Sequence, residues 1–272
     1  MTLKNYSAAA IIFATSFACQ NDPATPEVVK EEAAPVADTL QYEIITVASN
    51  LPCAKDSAKN CVEVKIDELY INGGTNKASA SKIEATLRKA LSETDNSEGA
   101  PRKPQDIIAN LEKEYTQITK DMKNYDLSWE YIHNMEVYLN GNNLFGCSIY
   151  NYTFTGGAHP NGFKFYYTFA ADKGTPVKLT DLILPNKFAE FKALAEKQFR
   201  ETREIEEGQT FEEAGYWFEN DAFALNNNFK YDVSGLTIMY NQYEIAPYSE
   251  GSITLEFPYS QIKGMVKAEY RF

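Results

Sequence analysis

Apolar and polar residues alternate at two places early in the chain, residues 41–49 (QYEIITVAS) and 61–71 (CVEVKIDELYI). A period of two sends successive side chains to opposite faces, so both stretches predict half-buried β-strands. Gly73-Gly74 ends the second. The period then changes: Ile83, Leu87, Ala90 and Leu91 fall on one face of a helix, with Ser79 or Ser81 as candidate N-cap. After a polar loop (DNSEGAPRK), a second helix is predicted near Pro104, whose missing N–H suits a first turn. Ile107, Leu111, Tyr115, Ile118 and Met122 form its apolar stripe.

From residue 127 the pattern returns to strands. LSWEYIHNMEVYLN, LFGCSIYNYTFT and GFKFYYTFAA are separated by Gly-Asn-Asn and by GGAHPNG. In the third, Phe163, Phe165, Tyr167 and Phe169 share one face of the pleat. Asp172-Lys173-Gly174 reads as a hairpin turn. PNKFAEFKALAEKQFRETRE predicts a third helix with Phe188, Phe191, Ala195 and Phe199 inward. Strands at 236–245 and 251–257 and a short helix at 259–268 complete the chain. Helices are separated from runs of antiparallel hairpins, so the expected fold class is α+β: antiparallel sheets with segregated helices.

The first forty residues follow other rules. One basic residue, Lys4, precedes an apolar run from Ala8 to Phe17. A bilayer span needs about 20 apolar residues, so the run suits the h-region of a signal peptide instead. It ends in Ser16-Phe17-Ala18-Cys19, a small-x-small cleavage pattern followed by cysteine. That arrangement resembles a bacterial lipobox, which implies that Cys19 carries a diacylglycerol; each buried methylene adds about 0.8 kcal/mol of membrane affinity. Ser16 stands where a lipobox usually has an aliphatic residue. The alternative is plain secretion with Cys19 an ordinary thiol, an odd choice for an oxidising compartment. Residues 20–40, rich in Ala, Pro and Glu, lack an apolar period and read as a tether. The expected organisation is a signal peptide (1–18), a lipidated Cys and flexible tether (19–40), an N-terminal α+β lobe (41–155) and a C-terminal α+β lobe (156–272). The expected location is exported and lipid-anchored to the bacterial envelope, with the lipid as the only membrane contact.

The chain carries 26 basic and 38 acidic residues, and loss of residues 1–18 removes only Lys4, giving a mature net charge of −13. This argues against nucleic acid and anionic membranes as partners and permits attraction to cationic ones. Cys53 and Cys61 flank a polar loop between two strand-like runs and are expected to pair, which stabilises by about 2.5 kcal/mol in the chain-entropy model. Cys147 reads as a buried free thiol. Two histidines and no close-spaced Cys/His set argue against zinc, and no cofactor is expected.

TFTGGAHPNG, an aromatic strand, a Lys-Gly turn and KLTDLI before a helix resemble the extracytoplasmic domain of RsiV-type anti-sigma factors. The same domain precedes the catalytic domain of some peptidoglycan deacetylases. It is the domain-of-unknown-function family 3298, usually with an N-terminal companion numbered 4163. The stretch FALNNNFKYDVSGLTIMYNQYEIAPYSEGSITLEFPYSQIKGMV is similar to that family's closing signature. The resemblance covers roughly 41–270. In the anti-sigma branch it implies a receptor that binds lysozyme. This sequence shows no sigma-binding segment, transmembrane helix or deacetylase domain, so the binding half of that function is what the resemblance carries over.

Two segments supply the candidate binding residues. GGAHPNG offers Gly156, Gly157, His159 and Asn161: a Gly-rich loop brings backbone donors close to a partner, and an imidazole can contact a sugar or carboxylate. The plain alternative is a turn whose histidine bonds to backbone. YNQYEIAPYSEG offers Tyr240, Tyr243, Glu244, Tyr248 and Glu250, flat amphipathic rings with two carboxylates suited to a cationic partner. The plain alternative is core packing and a Pro-containing turn. His133 reads as a strand residue, and Trp129 and Trp217 as packing residues. No phosphate loop, HExxH or Ser/His/Asp arrangement is present, and no catalytic residue is nominated. The expected function is a monomeric envelope binding module, not an enzyme, recognising lysozyme-like cationic proteins. The alternatives are a peptidoglycan or other glycan binder, and behind it a wall-directed hydrolase.

Overall fold

The structure, a computed structural model, describes residues 39–53, 57–93 and 103–272. The signal segment, Cys19 and nearly all of the tether lie outside the described residues. Six strands form one sheet in chain order: β1 (Gln41–Pro52), β2 (Asn60–Gly73), β3 (Trp129–Gly141), β4 (Leu144–Phe154), β5 (Asn161–Ala170) and β6 (Thr175–Pro176). Neighbours are antiparallel except β2 and β3, which run parallel. Between those two the chain crosses over through helices α1 (Lys77–Glu93) and α2 (Pro104–Asp121), and a crossover of that length makes a parallel pair possible.

Both helices cover one face of this sheet. Ile83 and Leu87 of α1 pack with Leu69, Met135, Phe145 and Ile149, while Leu91, Ile107 and Tyr115 pack with Val62, Val64, Ile66, Trp129 and Tyr131. The cap of α1 is Asn76, not Ser79 or Ser81: its Oδ1 accepts the Ser79 N–H at 3.0 Å. Ser79 is itself buried and donates to the Asp172 carbonyl at 2.6 Å, tying α1 to the β5–β6 turn. Met122 leaves the expected stripe of α2 because the helix ends there, and its side chain is exposed.

A second, three-stranded antiparallel sheet comprises β7 (Phe229–Asp232), β8 (Gly235–Tyr240) and β9 (Ile253–Pro258). The one-turn helix α3 (Leu179–Leu182) and α4 (Phe188–Thr202) precede it, and Phe191 of α4 meets Phe257 of β9 edge-on at 5.1 Å. The strand expected over 236–245 stops at Tyr240. There Asn241 and Glu244 close a turn: the Glu244 N–H reaches the Asn241 carbonyl at 3.1 Å, and the Glu244 carboxylate accepts the Asn241 N–H at 2.9 Å. The helix expected over 259–268 is one turn, α5 (Tyr259–Ile262), after which Val266 bridges to Ile183.

The described residues fall in one compact unit. The expected lobe boundary at 155/156 lies in the β4–β5 hairpin, so β5 continues the first sheet. Beyond it the edge of β5 is closed by side chains. Asn228 accepts the Tyr166 N–H and donates to the Lys164 carbonyl, both at 2.8 Å. Asn241 accepts the Lys164 N–H at 2.8 Å and donates to the same carbonyl at 3.0 Å. Two asparagine amides thus stand in for the missing neighbour strand and join the second sheet to the first.

Candidate functional site

The β4–β5 hairpin carries the GGAHPNG segment. Gly156 (φ 90°) and Gly157 (φ 106°) hold left-handed backbone that other residues adopt only with strain. Gly156 also lies beneath the Tyr125 hydroxyl, where a Cβ would come within 2.5 Å. These two glycines turn the chain and leave His159 exposed at the tip.

The second segment begins where β8 ends. Tyr240 is buried, with its hydroxyl donating to the Ala224 carbonyl at 2.7 Å, and burial raises its pKa. The chain then turns outward at Asn241, whose amide is fixed on β5. Tyr243 follows with φ 63°, a left-handed conformation costing a non-glycine residue about 1–2 kcal/mol. The Asn241–Glu244 turn holds it there, and the Glu244 carboxylate also accepts from Asn226 Nδ2 at 2.6 Å.

These two anchored loops meet. The His159 ring stacks on Tyr248 with centroids 4.0 Å apart and planes 22° from parallel. The Tyr248 hydroxyl donates to the Pro160 carbonyl at 3.2 Å. Tyr243 lies beside Tyr248 at 5.6 Å, its hydroxyl 3.4 Å from His159 Nε2. His159 Nδ1 is 2.9 Å from the Pro160 carbonyl, which can only accept. Nδ1 is therefore the donor to Pro160, and in the neutral imidazole Nε2 receives the Tyr243 hydroxyl. The backbone bond expected of a turn histidine is present, and the ring still faces outward.

Glu250, in the same loop as Tyr248, forms an ion pair with Arg203, which also donates to the Tyr216 hydroxyl at 2.6 Å; the Tyr216 bond is the first cause of the raised Arg203 pKa. Trp217, 52 % exposed, is tied to the same loop by its backbone N–H, which donates to the Ile245 carbonyl at 2.8 Å.

Of the expected residues, His159, Tyr243 and Tyr248 come together at the surface. Gly156 and Gly157 shape the hairpin, and Asn161 is exposed at the start of β5. Tyr240 belongs to the core. Glu244 and Glu250 are engaged by Asn226, Asn241 and Arg203 instead of standing free for a cation. Sequence reasoning missed Arg203, Asn226 and Asn228, whose partners are far away in the chain. The run Asn226-Asn227-Asn228 was a usable signal: Asn227 also accepts the Leu179 N–H at 3.1 Å, so all three amides bridge elements.

Chemically the cluster offers flat ring faces, an imidazole and hydroxyls. The other notable titratable groups are internal. His133 is buried with its pKa lowered to about 4, chiefly by desolvation, and burial pushes the Cys147 thiol up to about 12. Among the described residues no three His, Cys, Asp or Glu side chains gather as a metal site. Nor is any helix there long and apolar enough to cross a membrane.

Residues 180–260 match the model of a family described as a protein of unknown function, DUF3298, and residues 55–162 match the model described as deacetylase PdaC. A crystal structure of a DUF3298 family member from Bacteroides fragilis is similar with a TM-score of 0.63 and 21% identity, covering 86% of this chain and 96% of that one. A DUF3298 family protein from Pseudomonas aeruginosa is similar with a TM-score of 0.59 and 21% identity, covering 87% and 98%. No curated protein matches the chain. The chain thus has a DUF3298-like C-terminal part, a PdaC-like N-terminal part and the α+β fold of solved DUF3298 proteins.

Proposed function

We propose that this protein is an exported, lipid-anchored binding module of the cell envelope that recognises lysozyme-like cationic proteins. The observation that carries the reading is the meeting of two distant loops in one surface cluster, with His159 and Tyr243 exposed and Tyr248 half-buried between them. Aromatic side chains pre-ordered at low entropic cost are favoured anchors of protein recognition. A non-glycine residue kept in left-handed backbone at such a place is a further pointer to function. The net charge of −13 on the processed chain (25 basic and 38 acidic residues) speeds encounter with basic proteins. The disulfide between Cys53 and Cys61 fits an oxidising compartment outside the cytoplasm.

One observation favours a second reading. Exposed rings with hydroxyls at their edges also suit stacking on sugars, which makes cell-wall glycan the alternative ligand. Calorimetric titration with lysozyme, with chitooligosaccharide and a basic protein of similar size as controls, separates the two. Saturable 1:1 binding to lysozyme alone supports the first reading, and a response to the saccharide alone replaces it by the second. The anchor is tested separately: Cys19→Ala should release the protein from the membrane fraction.

A further inference from the structure

The outer strand of a sheet leaves every second N–H and C=O without a neighbour, a template on which another strand can pair. Most sheet edges in this protein are guarded. β5 is closed by the amides of Asn228 and Asn241. β6, Thr175–Pro176, is two residues long and ends in proline. In the second sheet β7 is four residues long and carries Lys230 and Asp232, while β9 carries Glu256 and ends at Pro258. Short strands, charges and terminal prolines are the usual protection against unwanted pairing.

β1 differs from all of these. It is the outer strand of the first sheet and runs for 12 residues, QYEIITVASNLP. It holds no lysine or arginine, its one proline is its last residue, and its register with β2 is unbroken from Tyr42 to Leu51. The polar side chains that bond do so inward: Thr46 Oγ1 donates to Asp67 and Ser49 Oγ to Glu112, both at 2.6 Å. Among the described residues no side chain bonds to the backbone of residues 42–51, in contrast to the edge of β5. Tyr42 and Ile45 are 38 % and 44 % exposed. A long, regular and nearly uncharged edge is one that calls for a partner strand.

We propose that β1 pairs antiparallel with β1 of a second copy of this chain, joining the two first sheets into one continuous sheet. The complement of an open edge is another extended strand, and β1 suits itself. Glu43, its only charge, lies near its start, so antiparallel overlap sets it against the neutral far end of the second strand and not against its own counterpart. Overlap of residues 42–51 forms about 10 backbone hydrogen bonds, as many as a typical protein interface carries. The pairing uses the same patch on both copies, so it closes at a dimer and leaves neither β1 edge open. A dimer replaces the monomer expected from the sequence, and it stands whatever ligand the His159 cluster takes.

The test uses the full chain with Cys19→Ala, which removes the candidate anchor. Sedimentation equilibrium should show monomer and dimer exchanging within about 1–100 µM. The variant I45K/A48K puts two exposed lysines per chain on the paired stretch, where those of the two copies meet. It should raise the dissociation constant at least about tenfold. Val233→Lys, 70 % exposed in the turn between β7 and β8, adds charge elsewhere and should leave that constant within about twofold. Unfolding midpoints of the dilute monomers should agree, which separates lost pairing from lost fold. Hydrogen exchange locates the contact: alternate amides of residues 42–51 should gain protection as the parent protein is concentrated, and should not in I45K/A48K. A monomer at every concentration, or a dimer indifferent to I45K/A48K, would overturn the proposal. So would β1 amides equally protected in the monomer, the mark of a segment of the same chain lying on the edge.

Discussion

His159 and Tyr248 lie face to face, ring centroids 4.0 Å apart, although one belongs to the first sheet's hairpin and the other to a loop of the second sheet. The stack orders both rings before any partner arrives. Tyr248→Ala should therefore weaken lysozyme binding by about 30-fold, the size of a typical aromatic anchor. Stability should fall by about 1–2 kcal/mol, since the half-buried ring loses its stack and its hydrogen bond to Pro160. Tyr248→Phe keeps the stack and loses only the Pro160 bond, so it should retain most of the affinity. Calorimetry of the two variants checks this, and equal losses would argue against stacking as the cause.

Asn228 and Asn241 close the edge of β5 with four hydrogen bonds to Lys164 and Tyr166. Asn228→Ala leaves the Tyr166 N–H without that partner. It should cost about 1 kcal/mol, the size of a typical hydrogen bond, because the site is only half-buried. Urea denaturation gives the cost, and hydrogen exchange should quicken at the Tyr166 amide first.

Cys53 and Cys61 are bonded across a sequence separation of 8. Replacing both with serine should lower stability by about 2–3 kcal/mol through loss of loop-closure entropy. The wild-type protein under reducing denaturation should show the same loss. Insensitivity to reductant would mean that the surrounding strands hold the loop unaided.

His133 sits in the core beside Asn151 and Asp67, at 2.5 Å from Asn151 Oδ1 through Nδ1. Its pKa of about 4 lies below the ordinary 6.5, so the unfolded chain takes up the proton first. Stability from this residue is complete above about pH 6.5 and is lost as pH falls towards 4, by up to about 3 kcal/mol. Denaturation of the wild type and His133→Gln at several pH values measures the difference between them. That difference should change across the window; a constant offset would remove His133 as its source.

The parts of the fold set by local period were legible in the sequence. Alternation located β1 and β2, the stripe of Ile83, Leu87 and Leu91 located α1, and the short spacing of Cys53 and Cys61 pointed to their bond. What the period could not show was contact at long range. Nothing local makes β2 and β3 parallel, so their pairing was hidden. Tyr240 and Tyr243 stand three residues apart in one motif, yet the turn at Asn241 sends one into the core and the other to solvent. Both segments of the His159 cluster were singled out by their residues, but their convergence depends on asparagine amides bridging two sheets. Arg203 carried no local signal that it would neutralise Glu250.

The most direct measurement is calorimetric titration of the protein with lysozyme at low and at physiological salt. Recognition of a cationic protein predicts saturable 1:1 binding whose affinity falls as salt rises and which Tyr248→Ala weakens. No heat with lysozyme, or binding indifferent to both salt and Tyr248→Ala, would contradict it.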